Sequence, residues 1–219
     1  MRRIRNEATD ARTMSESFAR LGIPLPEGAA AALAEYLALV AKWNHAYNLT
    51  AVREPGEMVA RHVLDSAAAL PFLRGTRMLD AGSGAGFPGL VLALLAPDTT
   101  WVLVESNGKK ARFLDHAVRR LGLGGRVSIH AGRLESYRPQ PGFDTVTARA
   151  LAALAVLTAW TAPLLVPGGR IVALKGRRAE IETELAALPA GWHTQLAKVA
   201  VPGETGERHV VVLERETGK

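Results

Sequence analysis

The sequence predicts an α/β domain built on a mostly parallel sheet, closed by an antiparallel C-terminal hairpin and preceded by a helical segment. Three observations carry this. No strand pattern occurs before residue 77; short β-type runs then alternate with helical stretches; and the last two runs have no helix between them.

Residues 1–74 read as helical throughout. In AAALAEYLALVAKWNHAYNL, the side chains Leu33, Tyr36, Leu37, Val40, Trp43 and Tyr47 recur at three- and four-residue steps, one apolar stripe of a helix. AVREP interrupts it, with Pro55 suited to a first helical turn, and GEMVARHVLDSAAAL follows up to Pro71. From residue 77 the order is RMLDA strand, FPGLVLALL helix, WVLVES strand, GKKARFLDHAVRRLGL helix, then the strands VSIHA and FDTVTA. An apolar helix is expected over about 150–166, then the strand RIVALKG, the helix AEIETELAAL, and the strands TQLAKVAV and RHVVVLER around PGETGE. Strand–helix alternation gives parallel crossovers, while a direct strand–strand link gives an antiparallel pair. Five parallel strands with that hairpin are the layout of a class I methyltransferase, a Rossmann-like sheet. The expected division is 1–74 as an N-terminal helical extension packed on the core and 75–219 as the methyltransferase domain.

At 219 residues the chain can bury one substantial core. It has no cysteine, which removes disulfides, thiolate metal sites and cysteine nucleophiles and is compatible with a reducing, cytoplasmic setting. The N-terminus, MRRIRNEATDARTMSES, runs from basic into polar residues and is not a signal core. ALAALAVLTAWTAPLLVP (150–167) is at the short limit for a membrane span and contains Pro163, so a buried helix is the expectation and no membrane partner is assigned.

The glycine-rich stretch LDAGSGAGFPGLVLAL (79–94) follows a strand and opens a helix, where backbone amides face a ligand's polar groups. From Gly84, GAGFPG satisfies the dinucleotide spacing, and Glu105 lies about twenty residues on, placed to bind ribose hydroxyls. That pattern leaves NAD and S-adenosylmethionine both open. Asp80 directly before the loop would oppose a pyrophosphate and suit a cationic sulfonium cofactor; the plainer reading is a carboxylate capping local amides. Gly82, Gly84 and Gly86 allow close passage and positive φ.

A formal charge of +6 and a pI of about 10 are compatible with a nucleic-acid partner. Lys109 and Lys110 stand in a first helical turn, against the helix dipole by roughly 0.3–1 kcal/mol each when exposed; a grip on phosphates and an ordinary solvated face are both open. Arg119, Arg120, Arg126, Arg133 and Arg138 follow, Arg177 and Arg178 come after Lys175, and Arg2, Arg3 and Arg5 form a basic arm. In MVARHVLDSAAAL, Arg61 with Asp65 and His62 with Ser66 are four residues apart. The plain expectation is a helix salt bridge and an exposed histidine; the functional one is a polar face closing the crevice. The six histidines are scattered, so no metal is expected, and no nucleophile elbow or acid–base dyad is visible.

Taken together, WNHAYNLTAVRE (43–54), RHVLDSAAAL (61–70), LDAGSGAGFPGLVLAL, VESNGKKARFLDHAVRRLGL (104–123), FDTVTARALAAL (143–154) and VPGGRIVALKG (166–176) resemble, in this order, the bacterial small-subunit ribosomal RNA methyltransferase G family, also called the glucose-inhibited division protein B family. The resemblance implies methylation of guanine nitrogen 7 in 16S rRNA, with 16S rRNA or the small ribosomal subunit as partner and S-adenosylmethionine as donor. It implies cofactor contacts at Gly82, Phe87, Glu105, Leu134, Glu135 and Arg149. Phe87 and Leu134 fit ordinary packing equally well, and Glu105 stands where many members have aspartate. No residue is assigned a chemical step, and a monomer is the expected state. An NAD-dependent oxidoreductase, a non-catalytic RNA-binding module and a small-molecule methyltransferase are the alternatives.

Overall fold

The computed structural model describes residues 10–216, so the basic arm Arg2, Arg3 and Arg5 lies outside the described residues. The strands are β1 (Arg77–Ala81), β2 (Thr100–Glu105), β3 (Val127–Ala131), β4 (Phe143–Arg149), β5 (Leu165–Lys175), β6 (Trp192–Lys198) and β7 (His209–Arg215). They form one sheet in the order β3-β2-β1-β4-β5-β7-β6. β1 to β5 pair in parallel. β7 runs antiparallel between β5 and β6, so the expected hairpin closes one edge with its second strand inside.

The continuous apolar run in RHVVVLER has a simple origin. Val210 and Val212 enter one core while Val211 and Leu213 enter the other, so both faces of β7 are buried. On the first face lie α1 (Ala11–Leu21), α2 (Ala29–Tyr47), α5 (Gly89–Leu95) and α6 (Gly108–Arg120), sharing a core that includes Phe18, Tyr36, Leu90 and Phe113. On the second lie α7 (Leu154–Thr161) and α8 (Arg178–Ala186), through Leu154, Leu157 and Ile181. Asp10 caps α1 by accepting the Thr13 N–H at 2.8 Å, and Gly22 ends it in the left-handed conformation.

Two predicted helices differ. Residues 55–72 hold α3 (Pro55–Met58), a π-helical stretch (Val59–Leu64), α4 (Asp65–Ala67) and a 3₁₀ turn (Leu70–Phe72). In the π stretch the Asp65 N–H reaches back to the Ala60 carbonyl, one residue beyond the α-helical partner. The helix expected over 150–166 starts at Leu154, because Glu184 from α8 accepts the Leu154 N–H at 2.8 Å. Residues 150–153 instead form a loop, with Ala150 at φ +50°, a conformation costing roughly 1–3 kcal/mol for a non-glycine residue.

The chain reverses direction across the sheet between β1 and β4. The loops after these strands therefore meet at the switch point, where ligands of such sheets bind.

Candidate functional site

The loop from Gly82 to Pro88 links β1 to α5 and is fixed from three sides. Ser83 donates its N–H to the Val104 carbonyl at 3.0 Å. The Tyr36 hydroxyl, fully buried on α2, donates to the Ala85 carbonyl at 2.5 Å. Burial raises the Tyr36 pKa well above its ordinary value, so it remains a donor. Gly86 is obligatory here: it sits at φ +96°, and a Cβ would lie 2.7 Å from both the Tyr36 Oη and Leu90 Cδ1. Sequence reasoning placed Tyr36 only in an apolar stripe; a polar tip aimed into a core is invisible to periodicity.

Asp80 does not present its carboxylate to a ligand. It is fully buried, pairs across β1 and β4 with Thr147, and accepts the Thr147 hydroxyl at 2.9 Å and the Gly89 N–H at 3.1 Å. The expectation that it faces a cationic cofactor group is corrected: it is the carboxylate that caps the start of α5. Burial pushes its pKa up to about 6, against the lowering effect of hydrogen bonds from Thr147, Ser83 and Gly89 and of the Arg149 charge.

Glu105, at the end of β2, reaches back to the loop. Its Oε2 accepts the Gly84 N–H at 2.8 Å and its Oε1 the Asn107 N–H at 2.7 Å. Beside it a cleft of about 80 Å³ is lined by Gly82, Val104, Leu134, Glu135, Leu151 and Trp160, among others. Three residues expected around a cofactor, Gly82, Leu134 and Glu135, thus meet in space from distant loops. Leu134 is buried and Glu135 exposed. Gly82, at φ +67°, packs under Leu151, whose Cδ1 would lie 2.5 Å from a Cβ there.

Phe87 and Arg149 belong elsewhere. Arg149 lines a second cleft of about 340 Å³, with Val52, His62, Asp65, Lys175 and Arg208, and the buried Phe87 packs behind His62 and Arg149. The Phe87 ring lies against His62 (4.6 Å between centroids) and Tyr36 (5.2 Å), with the Arg149 guanidinium 5.3 Å from its centroid. Phe87 therefore packs between the glycine loop and the second cleft, and Arg149 opens into that cleft rather than toward Leu134.

The polar face of 61–66 also departs from expectation. Arg61 and Asp65 do not pair. Arg61 turns outward to Glu57 (3.7 Å) and Glu204 (3.6 Å), while the buried Asp65 binds Arg149 and Arg208, each at 3.2 Å. Two guanidinium groups brought from β4 and from just before β7 offset the desolvation of that carboxylate. His62 is buried, not exposed. Burial foremost, then the Arg149 charge, lowers its pKa to about 4. The ring is neutral at pH 7, its Nδ1 bonded to the Arg61 carbonyl at 3.0 Å and its Nε2 to the Thr50 hydroxyl at 2.7 Å.

Several basic residues are spoken for. Lys175 binds Glu184 at 2.7 Å and the Ala152 carbonyl at 2.9 Å, which holds the 150–153 loop. Arg126 donates to the Ala93 and Thr99 carbonyls, Arg120 pairs with Glu35, Arg119 with Asp115, and Arg177 and Arg178 with Glu180 and Glu182. By contrast Lys109, Lys110 and Arg133 have no ion pair among the described residues; Lys109 and Arg133 are exposed and Lys110 half-buried. Asn107 caps the first turn of α6 through the Lys109 and Lys110 N–H groups. Among the described residues no group of three or more His, Asp or Glu side chains is placed to hold a metal ion, and no helix is long and apolar enough to cross a membrane.

Residues 29–211 match the family described as GidB, rRNA small subunit methyltransferase G. The ribosomal RNA small subunit methyltransferase G of Alkalilimnicola ehrlichii is 50% identical over 193 residues, 88% of this chain and 86% of that one. Its namesake in Pseudomonas syringae pv. syringae is 44% identical over 94% of this chain and 95% of its own. Among solved structures, the O-methyltransferase TomG of Streptomyces achromogenes, in complex with S-adenosylmethionine, superposes with a TM-score of 0.60 at 17% identity, covering 98% of this chain and 100% of its own. The tRNA methyltransferase TrmK of Bacillus subtilis gives 0.55 at 18% identity, covering 70% and 66%. These two likenesses are of fold.

Proposed function

This chain belongs to the rRNA small subunit methyltransferase G family, and from that premise we propose that it methylates guanine nitrogen 7 in 16S rRNA, using S-adenosylmethionine. The observation that carries the reading is a pair of clefts on either side of the loop after β4, with Gly82 and Leu151 lining one and Arg149 and Ala150 the other. One is narrow, apolar-walled and flanked by the Glu105 carboxylate; the other is wider and lined by arginines.

The narrow cleft, about 80 Å³, has the chemistry to receive a nucleoside but encloses only part of one. Gly82 leaves the wall open, Leu134 and Leu151 supply apolar surface, and each Glu105 oxygen, with one backbone N–H already bound, retains acceptor capacity for ribose hydroxyls. Gly82, Glu105, Leu134 and Glu135 would hold S-adenosylmethionine, which supplies an electrophilic methyl group on its sulfonium when bound. Phe87 packs behind His62 and Arg149, and Arg149 serves the acceptor side. The acceptor base enters the wider cleft, whose volume suits a purine between Val52 and Arg149.

Guanine nitrogen 7 has a lone pair and no proton, so attack needs no general base. The chain's residues then act by holding the two reactants in line. His62 fits this: neutral and bonded through both ring nitrogens, it positions rather than shuttles protons. Because nitrogen 7 lies in the deep, narrow groove of an RNA helix, the target is an exposed or extruded base. Lys109, Lys110 and Arg133 grip the flanking phosphates, and binding weakens steeply with salt. We place the protein in the cytoplasm, acting as a monomer, with residues 1–74 as an extension built into the cofactor loop through Tyr36.

Incubating the purified protein with labelled S-adenosylmethionine and unmodified small subunits, then mapping the label, tests this. Label on nitrogen 7 of one guanine is expected; label on a non-RNA acceptor, or none, refutes it.

A further inference from the structure

We propose that Asp65 is a positioning residue whose hold on Arg149 makes that arginine the reader of the guanine O6 edge. The proposal rests on the reading above, that the wider cleft receives the acceptor base.

Two distant parts of the chain converge on Asp65. Its Oδ2 lies 3.2 Å from the Arg149 Nη1 at the end of β4, and its Oδ1 lies 3.2 Å from the Arg208 Nε just before β7. Asp65 itself sits where the π-helical stretch passes into α4. The Arg61 carbonyl takes a second bond from the same Arg149 Nη1 at 3.1 Å. Among the described residues every side-chain hydrogen bond of Arg149 therefore runs through Nη1. A guanidinium is a rigid plane carrying five N–H donors. Anchoring one corner, with the Phe87 ring beside it, fixes where Nε and Nη2 can point, and the group lines the wider cleft.

The chemistry of the acceptor selects what those donors meet. A purine whose nitrogen 7 faces the glycine loop carries its C6 substituent alongside. In guanine that substituent is an oxygen acceptor; in adenine it is an amino donor. Arginine has no acceptor to offer, so O6 is bound and an amino group is rejected. Charge balance points the same way. Methylation at nitrogen 7 leaves the purine cationic, and an uncompensated Arg149 beside O6 would oppose that charge. Asp65 supplies the compensating negative charge directly, without touching the base.

The experiment uses small subunits reconstituted on rRNA ligated to carry guanine, inosine or 2,6-diaminopurine at the mapped acceptor position. Inosine keeps O6 and loses the 2-amino group; diaminopurine replaces O6 by an amine. The intact enzyme is expected to methylate guanine and inosine at similar rates and diaminopurine at least about tenfold more slowly. Asp65→Asn and Arg149→Lys are expected to lower kcat on guanine at least about tenfold and to shrink the guanine-to-diaminopurine ratio, while affinity for S-adenosylhomocysteine stays within about twofold. A residue that only stabilised the fold would lower melting temperature and rate without moving that ratio. Equal rates on guanine and diaminopurine by the intact enzyme overturn the proposal, as does an unchanged ratio in both variants. Should Asp65→Asn not fold, Arg149→Lys decides alone. Failure of the intact enzyme on guanine itself defeats the underlying reading of function, a distinct result.

Discussion

Asp80 and His62 titrate in opposite senses, and replacing either is expected to unmask the other. Burial raises the Asp80 carboxyl from 3.8 to about 6. Between those values the folded chain keeps a proton that the unfolded chain has released, so stability falls as pH rises, by about 3 kcal/mol in full. His62 is lowered from 6.5 to about 4. Here the unfolded chain binds the extra proton. Its contribution is present above the unfolded value and lost as pH falls toward 4, again about 3 kcal/mol. The two windows overlap, and in the intact chain the slopes offset. Asp80→Asn keeps an acceptor for Gly89 and a partner for Thr147 while removing the charge. Relative to the parent it should gain about 3 kcal/mol between about pH 4 and pH 7. His62→Gln should lose about the same over that range. Urea unfolding at closely spaced pH values gives both differences. Profiles of Asp80→Asn and parent that run parallel would refute the placement of Asp80 as a buried, desolvated carboxylate.

Tyr36→Phe removes one buried donor and strands the Ala85 carbonyl, so a loss of about 1–3 kcal/mol in thermal unfolding is expected, with weaker S-adenosylmethionine binding by calorimetry. Unchanged stability would show that the Tyr36 bond does not brace the loop. Gly82→Val forces a branched side chain into φ +67° against Leu151, and cofactor binding should vanish in the same titration while far-UV circular dichroism persists. Glu105→Ala frees the Gly84 and Asn107 N–H groups and removes the ribose partner; a rise of about 10- to 100-fold in cofactor Kd is expected. Charge reversal at Lys109 and Lys110 should raise the KM for small subunits and alter its salt dependence, leaving cofactor Kd unchanged; an unmoved KM would place the RNA elsewhere.

The chain's own letters determined the sheet and its handrail of helices. The runs RMLDA and VSIHA coincide with β1 and β3, because each is a short stretch with strand-forming residues bounded by turn residues and alternating with helical stretches. The direct link between the last two strands made them antiparallel neighbours for the same local reason. The glycine loop and Glu105 were legible too, since positive φ and a strand-end carboxylate follow from spacing along the chain. What only the tertiary structure decided is which charges meet. Asp65 pairs with Arg149 and Arg208, 84 and 143 positions away, rather than with Arg61 four residues before it. Asp80 turns inward to Thr147, Lys175 to Glu184, and Tyr36 reaches the loop from a helix of the first segment. Periodicity records which face of an element is apolar; it carries no information on the partner that a polar side chain finds once that face is buried. A desolvated charge is tolerated only where an opposite charge or donor arrives from elsewhere in the chain, and that arrival is a property of the packed sheet.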